Sequence, residues 1–309
     1  MEEKQYPMLQ NYGEDYTKKT YITDPAIARD KEIKEAMLIL LTPDKSAILV
    51  GKPGIGKTAI VEGVAYRIQK GLVPEILKPL KVIKVNVSSL MGTSVSNGET
   101  EQRINLLINE IKSIGGIILF IDEIHLLINQ GSDNSLDFAN MLKPVLDRGD
   151  IKVIGATTTE EYEAYILKDR AFNRRFQKID IVETNAEDTV KIMMGTYHRY
   201  EVKTGVKFGY TDFLKEKVMK FLVEMTTEYN RIYEVAARYP DVCLTILANA
   251  FSYALFDNSP EVHFKHIYKA VCNAKNVYED AKAKYITKFK EDFKDILAEE
   301  KVDLTDTIG

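Results

Sequence analysis

The chain of 309 residues has no tryptophan, two cysteines and four histidines. Cys243 and Cys272 stand in helical patterns without metal-ligand spacing, so they read as core fillers of a reduced intracellular protein rather than a disulfide framework. An excess of charge of one sign is missing too. The 42 Lys and Arg against 46 Asp and Glu leave a net charge of −4, interspersed along the chain. That balance lacks the basic footprint of a nucleic-acid binder and argues against such a partner. Long hydrophobic runs are also absent: the greasiest stretch, Gly116 to Ile128, is interrupted by Asp122, Glu123 and His125. The start, Met-Glu-Glu-Lys-Gln-Tyr-Pro7, has no apolar segment of the kind that targets a chain for export. The expectation is a cytoplasmic protein without a membrane segment. Repeats and low-complexity stretches are lacking, and only the first residues and Asp303–Gly309 look frayed.

What is present is an alternation. Runs of Ile, Leu and Val at Ser46–Val50, Lys81–Val87, Gly116–Ile121, Ile151–Ala156 and Phe176–Ile181 are separated by helical periods such as Thr58–Lys70 and Gly98–Ser113. Such alternation predicts an α/β fold with a parallel sheet covered by helices. After Glu183 the strand runs stop. Ala186–Tyr200, Thr211–Tyr229, Arg238–Phe256 and Val262–Tyr278 carry apolar residues at spacings of three and four, which predicts a small all-helical domain. From Ala281 to Glu300, Tyr285, Ile286, Phe289, Phe293, Ile296 and Leu297 share one face. That face either packs on its own domain or docks a partner. The expected divisions are an arm over 1–22, a large domain over 23–184, a helical domain over 185–280, and a terminal amphipathic helix and tail over 281–309.

The chemistry starts at Gly51-Lys-Pro-Gly-Ile-Gly-Lys57-Thr58, which follows the run Ala47–Val50 and opens a helical pattern. Rather than a chance Gly-rich turn, it reads as a phosphate-binding loop in its strand-loop-helix setting. Gly51, Gly54 and Gly56 let backbone N–H groups turn inward on a phosphate, Lys57 neutralises terminal phosphate charge, and the Thr58 hydroxyl can ligate Mg²⁺. Asp122 and Glu123 follow the strand Ile117–Ile121, at the carboxyl end where ligands sit in open α/β sheets. Asp122 can hold the metal and Glu123 can polarise water, whereas by itself the pair would read as a helix cap. Gly155-Ala-Thr-Thr158 ends another strand, either as an ordinary strand-end turn or as a hydroxyl offered to a γ-phosphate. Arg174 and Arg175 precede Phe176, either as stabilisers of a transferred phosphoryl group or as a surface ion pair.

In order, Asp24-Pro-Ala-Ile-Ala-Arg-Asp30, Gly51 to Gly63, Leu119-Phe-Ile-Asp-Glu-Ile-His125, Asn140-Met-Leu-Lys-Pro144, Gly155 to Thr158 and Arg174-Arg-Phe176 resemble the first ATPase module of Clp-type AAA+ chaperones, over about Asn11 to Asp241. The resemblance implies a P-loop AAA+ large domain followed by a small helical one, with ATP or ADP and Mg²⁺ as cofactors. It also implies a homo-oligomeric ring, usually a hexamer, that hydrolyses ATP and works on a protein client. On it the nucleotide lies on Gly51, Pro53, Gly54, Ile55, Gly56, Lys57, Thr58, Ala59 and Asp122, with Thr58 and Asp122 on the metal. Ile27 flanks the adenine, and Arg238, Pro240 and Asp241 face the nucleotide from the helical domain. Glu123 is the catalytic base, Thr158 the first sensor, and Arg174 and Arg175 act on the neighbouring subunit's ATP.

The sequence departs from that family in three places. Val242 stands where the family carries Lys. Thr93-Ser-Val-Ser-Asn97 lacks the aromatic that grips threaded polypeptide in the pore. The chain also reads as a stand-alone module, without a second ATPase. These departures keep a nucleotide-dependent regulatory module without threading as an alternative, with a nucleic-acid loader as a third reading. His263 and His266, one turn apart, read as surface histidines, and His125 as a structural or supporting residue.

Overall fold

The computed structural model describes residues 6–91, 97–128, 138–147, 149, 151–232 and 238–305. The chain forms two compact units. Met1–Tyr21, Arg29–Lys52 and Lys57–Val182 make the first; Ile22–Ala28, Pro53–Gly56 and Glu183–Gly309 make the second. Two short pieces that the sequence assigns to the large domain, 23–28 and 53–56, thus group by contact with the helical unit.

In the first unit six strands, β1 (Gly13–Asp15), β2 (Ser46–Val50), β3 (Lys81–Val85), β4 (Ile117–Ile121), β5 (Lys152–Thr157) and β6 (Phe176–Asp180), lie in the order β1-β3-β4-β5-β2-β6. Every pairing is parallel except that of β1 with β3. β2 and β4 are buried along their whole length, which is why they read as continuous apolar runs rather than alternating ones. Ile48, Val50, Leu119 and Ile121 join one cluster with Ile104, Leu107 and Ile108 of the helix Asn97–Ile114. The helices Asp30–Leu41 and Lys57–Gln69 also contact the sheet. β1 carries the residues Gly-Glu-Asp, poor strand formers with no alternation, and pairs only as an edge.

Register decides what meets at each edge of the sheet. Val50 is opposite Thr157, Ile121 opposite Gly155 and Val85 opposite Ile121, so the residues after β2, β4 and β5 leave from one edge. Ser46 is opposite Phe176, so Arg174 and Arg175 enter at the other.

The second unit is helical. Its first helix, Ala186–Thr204, is capped by the Asn185 side chain on the Asp188 N–H and stopped by Gly205 at φ 74°. Asp212–Met225 begins where the Thr211 hydroxyl accepts from the Leu214 N–H. Asp241–Phe256 and Phe264–Cys272 follow, each shorter than the sequence period predicts; the first begins only after Pro240. The terminal stripe proves to be two helices, Glu279–Asp292 and Lys294–Glu299, hinged at Phe293. Its face is occupied by the unit's own core: Phe289 is fully buried, and Phe221 meets the rings of Tyr285, Phe289 and Phe293 edge-on at 5.8, 5.2 and 5.7 Å. Cys243 lies fully buried in the same core, where burial pushes its thiol up to about 12. Among the described residues no helix is long and apolar enough to cross a membrane.

His266 corrects the sequence reading, because it is a core residue and not a surface one. Its Nδ1 accepts from the His263 N–H at 2.9 Å, while Nε2 lies 3.3 Å from Asp257 Oδ2. Lys265 shares that carboxylate oxygen at 2.7 Å. A second proton would have to sit on Nδ1, facing a backbone donor. Burial, then the Lys265 charge, brings the His266 imidazole down to about 4, with Asp257 and its hydrogen bond opposing. An unfolded imidazole titrates near ~6.5. As pH falls, the unfolded chain therefore takes up this proton first, and stability is lost between about 6.5 and 4, by about 3 kcal/mol at most. Denaturant unfolding from pH 7 to 4 should show the wild-type helical unit losing more stability than His266→Gln. Equal slopes in the two proteins would contradict the assignment.

Candidate functional site

The loop that leaves β2 turns at Gly54 and Gly56, whose φ angles of 75° and 97° a side chain would resist, and enters the helix Lys57–Gln69. Ile55 is buried, while Pro53 and Gly54 are exposed and Gly56 through Ala59 are half-buried. Lys57 Nζ donates to the carbonyls of Gly51 and Lys52 at 2.6 and 2.9 Å. Burial lowers the pKa of this ammonium, with the charges of Asp122, Glu161 and Glu160 opposing. A cation spending its donors on its own loop is poised to exchange those carbonyls for anionic oxygens.

Asp122 follows β4 and points back at this helix: its Oδ2 lies 3.5 Å from Thr58 Oγ1 and 3.4 Å from Lys84 Nζ. Glu123 is exposed, with φ 53° and ψ 46°, a left-handed conformation that costs a non-glycine residue about 1–2 kcal/mol. It precedes the 3-10 turn Ile124–Leu127, yet its side chain makes no capping hydrogen bond, so capping does not explain it. Strain without a structural return is what functional positions show.

At the end of β5 the two threonines divide the work. Thr157 is buried, and its hydroxyl meets His125 Nδ1 and Glu161 Oε2, each at 3.1 Å. Thr158 is half-buried. Its Oγ1 accepts from the Glu161 N–H at 3.2 Å, and Glu161 Oε2 accepts from the Thr158 N–H at 3.0 Å, a reciprocal capping box. The Thr158 hydroxyl is thus engaged with Glu161. Burial pushes the Glu161 carboxyl up, but the bonds from Thr158, the His125 charge and the bond from Thr157 outweigh it and hold the group below its usual range. His125 is thus a buried support for this corner. Sequence reading missed Thr157, Glu161 and Lys84; the spacing Thr158-x-x-Glu161 was the available signal for the first two.

The arginines separate in both place and exposure. Arg174 is exposed, whereas Arg175 is buried and its guanidinium donates to the Ala171 carbonyl. The Arg175 carbonyl accepts from the Ser46 N–H at 2.9 Å, at the start of β2. Gly51 lies five residues further along that strand, roughly 16 Å at about 3.3 Å per residue. One chain therefore does not bring its own arginines to its own phosphate loop.

The remaining predicted residues lie in the second unit. Ile27 fills a slot above Gly195, where an added Cβ would fall 1.8 Å from Ile27 Cδ1. Gly54 faces Asp241, whose Cβ would be 2.9 Å from a Cβ there; burial raises the Asp241 carboxyl. Arg238 Nη1 lies 3.9 Å from Glu183 Oε2, and Pro240 follows Tyr239 through a cis peptide. Val242 is fully buried. The stretch Thr93–Asn97 lies outside the described residues, except for the Asn97 backbone.

If Glu123 is strained for function, relieving the strain should stabilise the fold. Glu123→Gly should raise the unfolding free energy by about 0.5–1 kcal/mol, the left-handed cost less the extra chain entropy of glycine. A loss of more than ~1 kcal/mol in denaturant titration would show instead that the side chain holds the structure.

Residues 47–184 match the ATPase family associated with various cellular activities (AAA). The chaperone protein ClpB of Lactiplantibacillus plantarum is 44% identical over 211 residues, 67% of this chain and 24% of that protein. ClpB of Staphylococcus aureus is 43% identical over 232 residues, 74% of this chain and 26% of that protein. The chain thus spans about a quarter of the length of the curated relatives it matches. Among solved structures, an Hsp104-ADP complex of S. cerevisiae is similar with a TM-score of 0.72 at 35% identity, over 85% of this chain and 44% of that one. An S. cerevisiae Hsp104:casein complex gives 0.70 at 36% identity, over 82% and 42%. By these matches and by the layout of its sheet edge, the chain belongs with the Clp-type AAA+ ATPases, of which it carries one module.

Proposed function

We propose that the chain binds ATP with Mg²⁺ and hydrolyses it to ADP and phosphate in a homo-oligomeric ring, hexameric on the family resemblance, that remodels a protein client. The observation that carries the reading is the shared edge of β2, β4 and β5, which delivers a phosphate loop, two carboxylates and a threonine hydroxyl together. Relatives in complex with ADP and with casein support the nucleotide and the class of client.

The donor set fits the metal. Thr58 Oγ1 and Asp122 Oδ2 are hard oxygens 3.5 Å apart, about half an ångström wider than adjacent ligands of one octahedral magnesium ion, so a small side-chain adjustment would bring both onto it. When bound, Mg²⁺ offsets phosphate charge between the loop and Asp122. The chain's own residues supply the rest. Backbone N–H groups at Gly54, Gly56 and the helix start bind phosphate oxygens, and Lys57 trades its loop carbonyls for the terminal phosphates. Thr158 turns its hydroxyl from Glu161 and donates it to the γ-phosphate. Glu123 orients water and accepts its proton as oxygen attacks phosphorus and the bond to ADP breaks. On the family resemblance, Ile27 flanks the base, and Arg238, Pro240 and Asp241 are nucleotide contacts. The exposed Arg174 completes a neighbour's site, and Arg175 holds the segment that presents it.

Glu123→Gln should bind fluorescent ATP with unchanged affinity while releasing orthophosphate about 100-fold or more slowly, the usual size of a lost general base. Hydrolysis at the normal rate would remove Glu123 from the role. A tagged unstable protein incubated with the wild-type chain and ATP should lose its fold; a client that stays intact would argue against remodelling.

A further inference from the structure

Lys84 has no part in the chemistry above, yet it is the cation beside the proposed metal ligand. In the β3–β4 ladder Lys84 stands opposite Phe120, and Asp122, the first residue after β4, is two positions further along. The lysine stem runs over the buried Phe120 ring, with Nζ 5.6 Å from its centroid, and ends 3.4 Å from Asp122 Oδ2. The same oxygen faces Thr58 Oγ1 at 3.5 Å. The neighbours Ile83 and Val85 are buried, and the Lys84 and Asp122 side chains are only 30% and 36% exposed. A lysine in such a strand is retained at a desolvation cost that its carboxylate partner offsets.

We propose that Lys84 is a built-in counter-cation of Asp122 that competes with magnesium for the carboxylate, so that the site takes up metal less tightly than its oxygen ligands alone would allow. The inference rests on the nucleotide reading and adds to it: besides the Lys57 charge, Asp122 has a fixed cationic partner at ion-pair distance and an exchangeable one. Because the fixed pair is partly exposed and Nζ is at 3.4 Å, its effect is modest. Pairs of this kind contribute up to about 1 kcal/mol, which corresponds to about 2–5-fold in metal affinity.

The test uses the full chain saturated with ADP, and Mn²⁺ as the probe, titrated by electron paramagnetic resonance. Lys84→Met keeps the stem over Phe120 and removes the charge; Lys84→Gln is the second variant should methionine disturb packing, with thermal melting as the check. Both should bind Mn²⁺ about 2–5-fold more tightly, with ADP affinity in the presence of a metal chelator unchanged. In an Asp122→Asn background, Lys84→Met should no longer tighten Mn²⁺. Unchanged or weaker Mn²⁺ binding overturns the inference. So does a several-fold loss of metal-free ADP affinity, which would make Lys84 a phosphate contact. An unmodified chain that binds no ADP sinks the nucleotide reading as well, whereas unchanged Mn²⁺ affinity in variants that bind ADP sinks the competition alone.

Discussion

Parallel pairing of β2 with β5 and of β5 with β4 is the constraint on which the first unit depends. In a parallel sheet every strand ends at the same edge, so whatever follows a strand is brought beside whatever follows its neighbour. Here that collects Gly51, Asp122 and Thr158 from positions up to 107 residues apart. The same register carries Arg174 and Arg175 to the far edge. On the proposed function, the fold builds most of a phosphate-cleaving site in one copy and leaves the guanidinium to a second.

The charges at the edge have partners within the chain. Lys57 is committed to two loop carbonyls, Lys84 to Asp122, and the Thr157 and Thr158 hydroxyls to Glu161 and His125. Each cation has an internal partner that can be exchanged, which keeps buried or half-buried charge from standing uncompensated. Glu123 is the exception, being exposed, strained and without a cap. Such a residue costs stability wherever it sits, and the proposed water-orienting role accounts for its position.

Much of this was legible in the residues. The strand runs at Ser46–Val50 and Ile117–Ile121 are fully buried, and their unbroken hydrophobicity announced it. The loop glycines announced the turn they make, and the terminal stripe had the core on one side. Other features were hidden because their signal is not periodic. β1 is three weak strand formers recruited by the edge of β3, and the helix Asp30–Leu41 carries no chemical motif of its own. His266 looked like a surface residue because sequence spacing does not reveal that Asp257, nine positions earlier, closes over it. Lys84 looked like an ordinary polar residue in a strand; only register places it beside Asp122. The division between Arg174 and Arg175 likewise depends on which side of one turn faces solvent.

The central claim is that the site is completed between copies, with Glu123 from one and Arg174 from another. The most direct measurement is orthophosphate release by an equimolar mixture of Glu123→Gln and Arg174→Ala chains, compared with each alone. In a mixed assembly some sites pair an intact Glu123 with an intact Arg174, so the account predicts that two nearly inactive proteins regain activity on mixing. A mixture no more active than the average of its components, or an Arg174→Ala chain that hydrolyses ATP at the wild-type rate by itself, would contradict it.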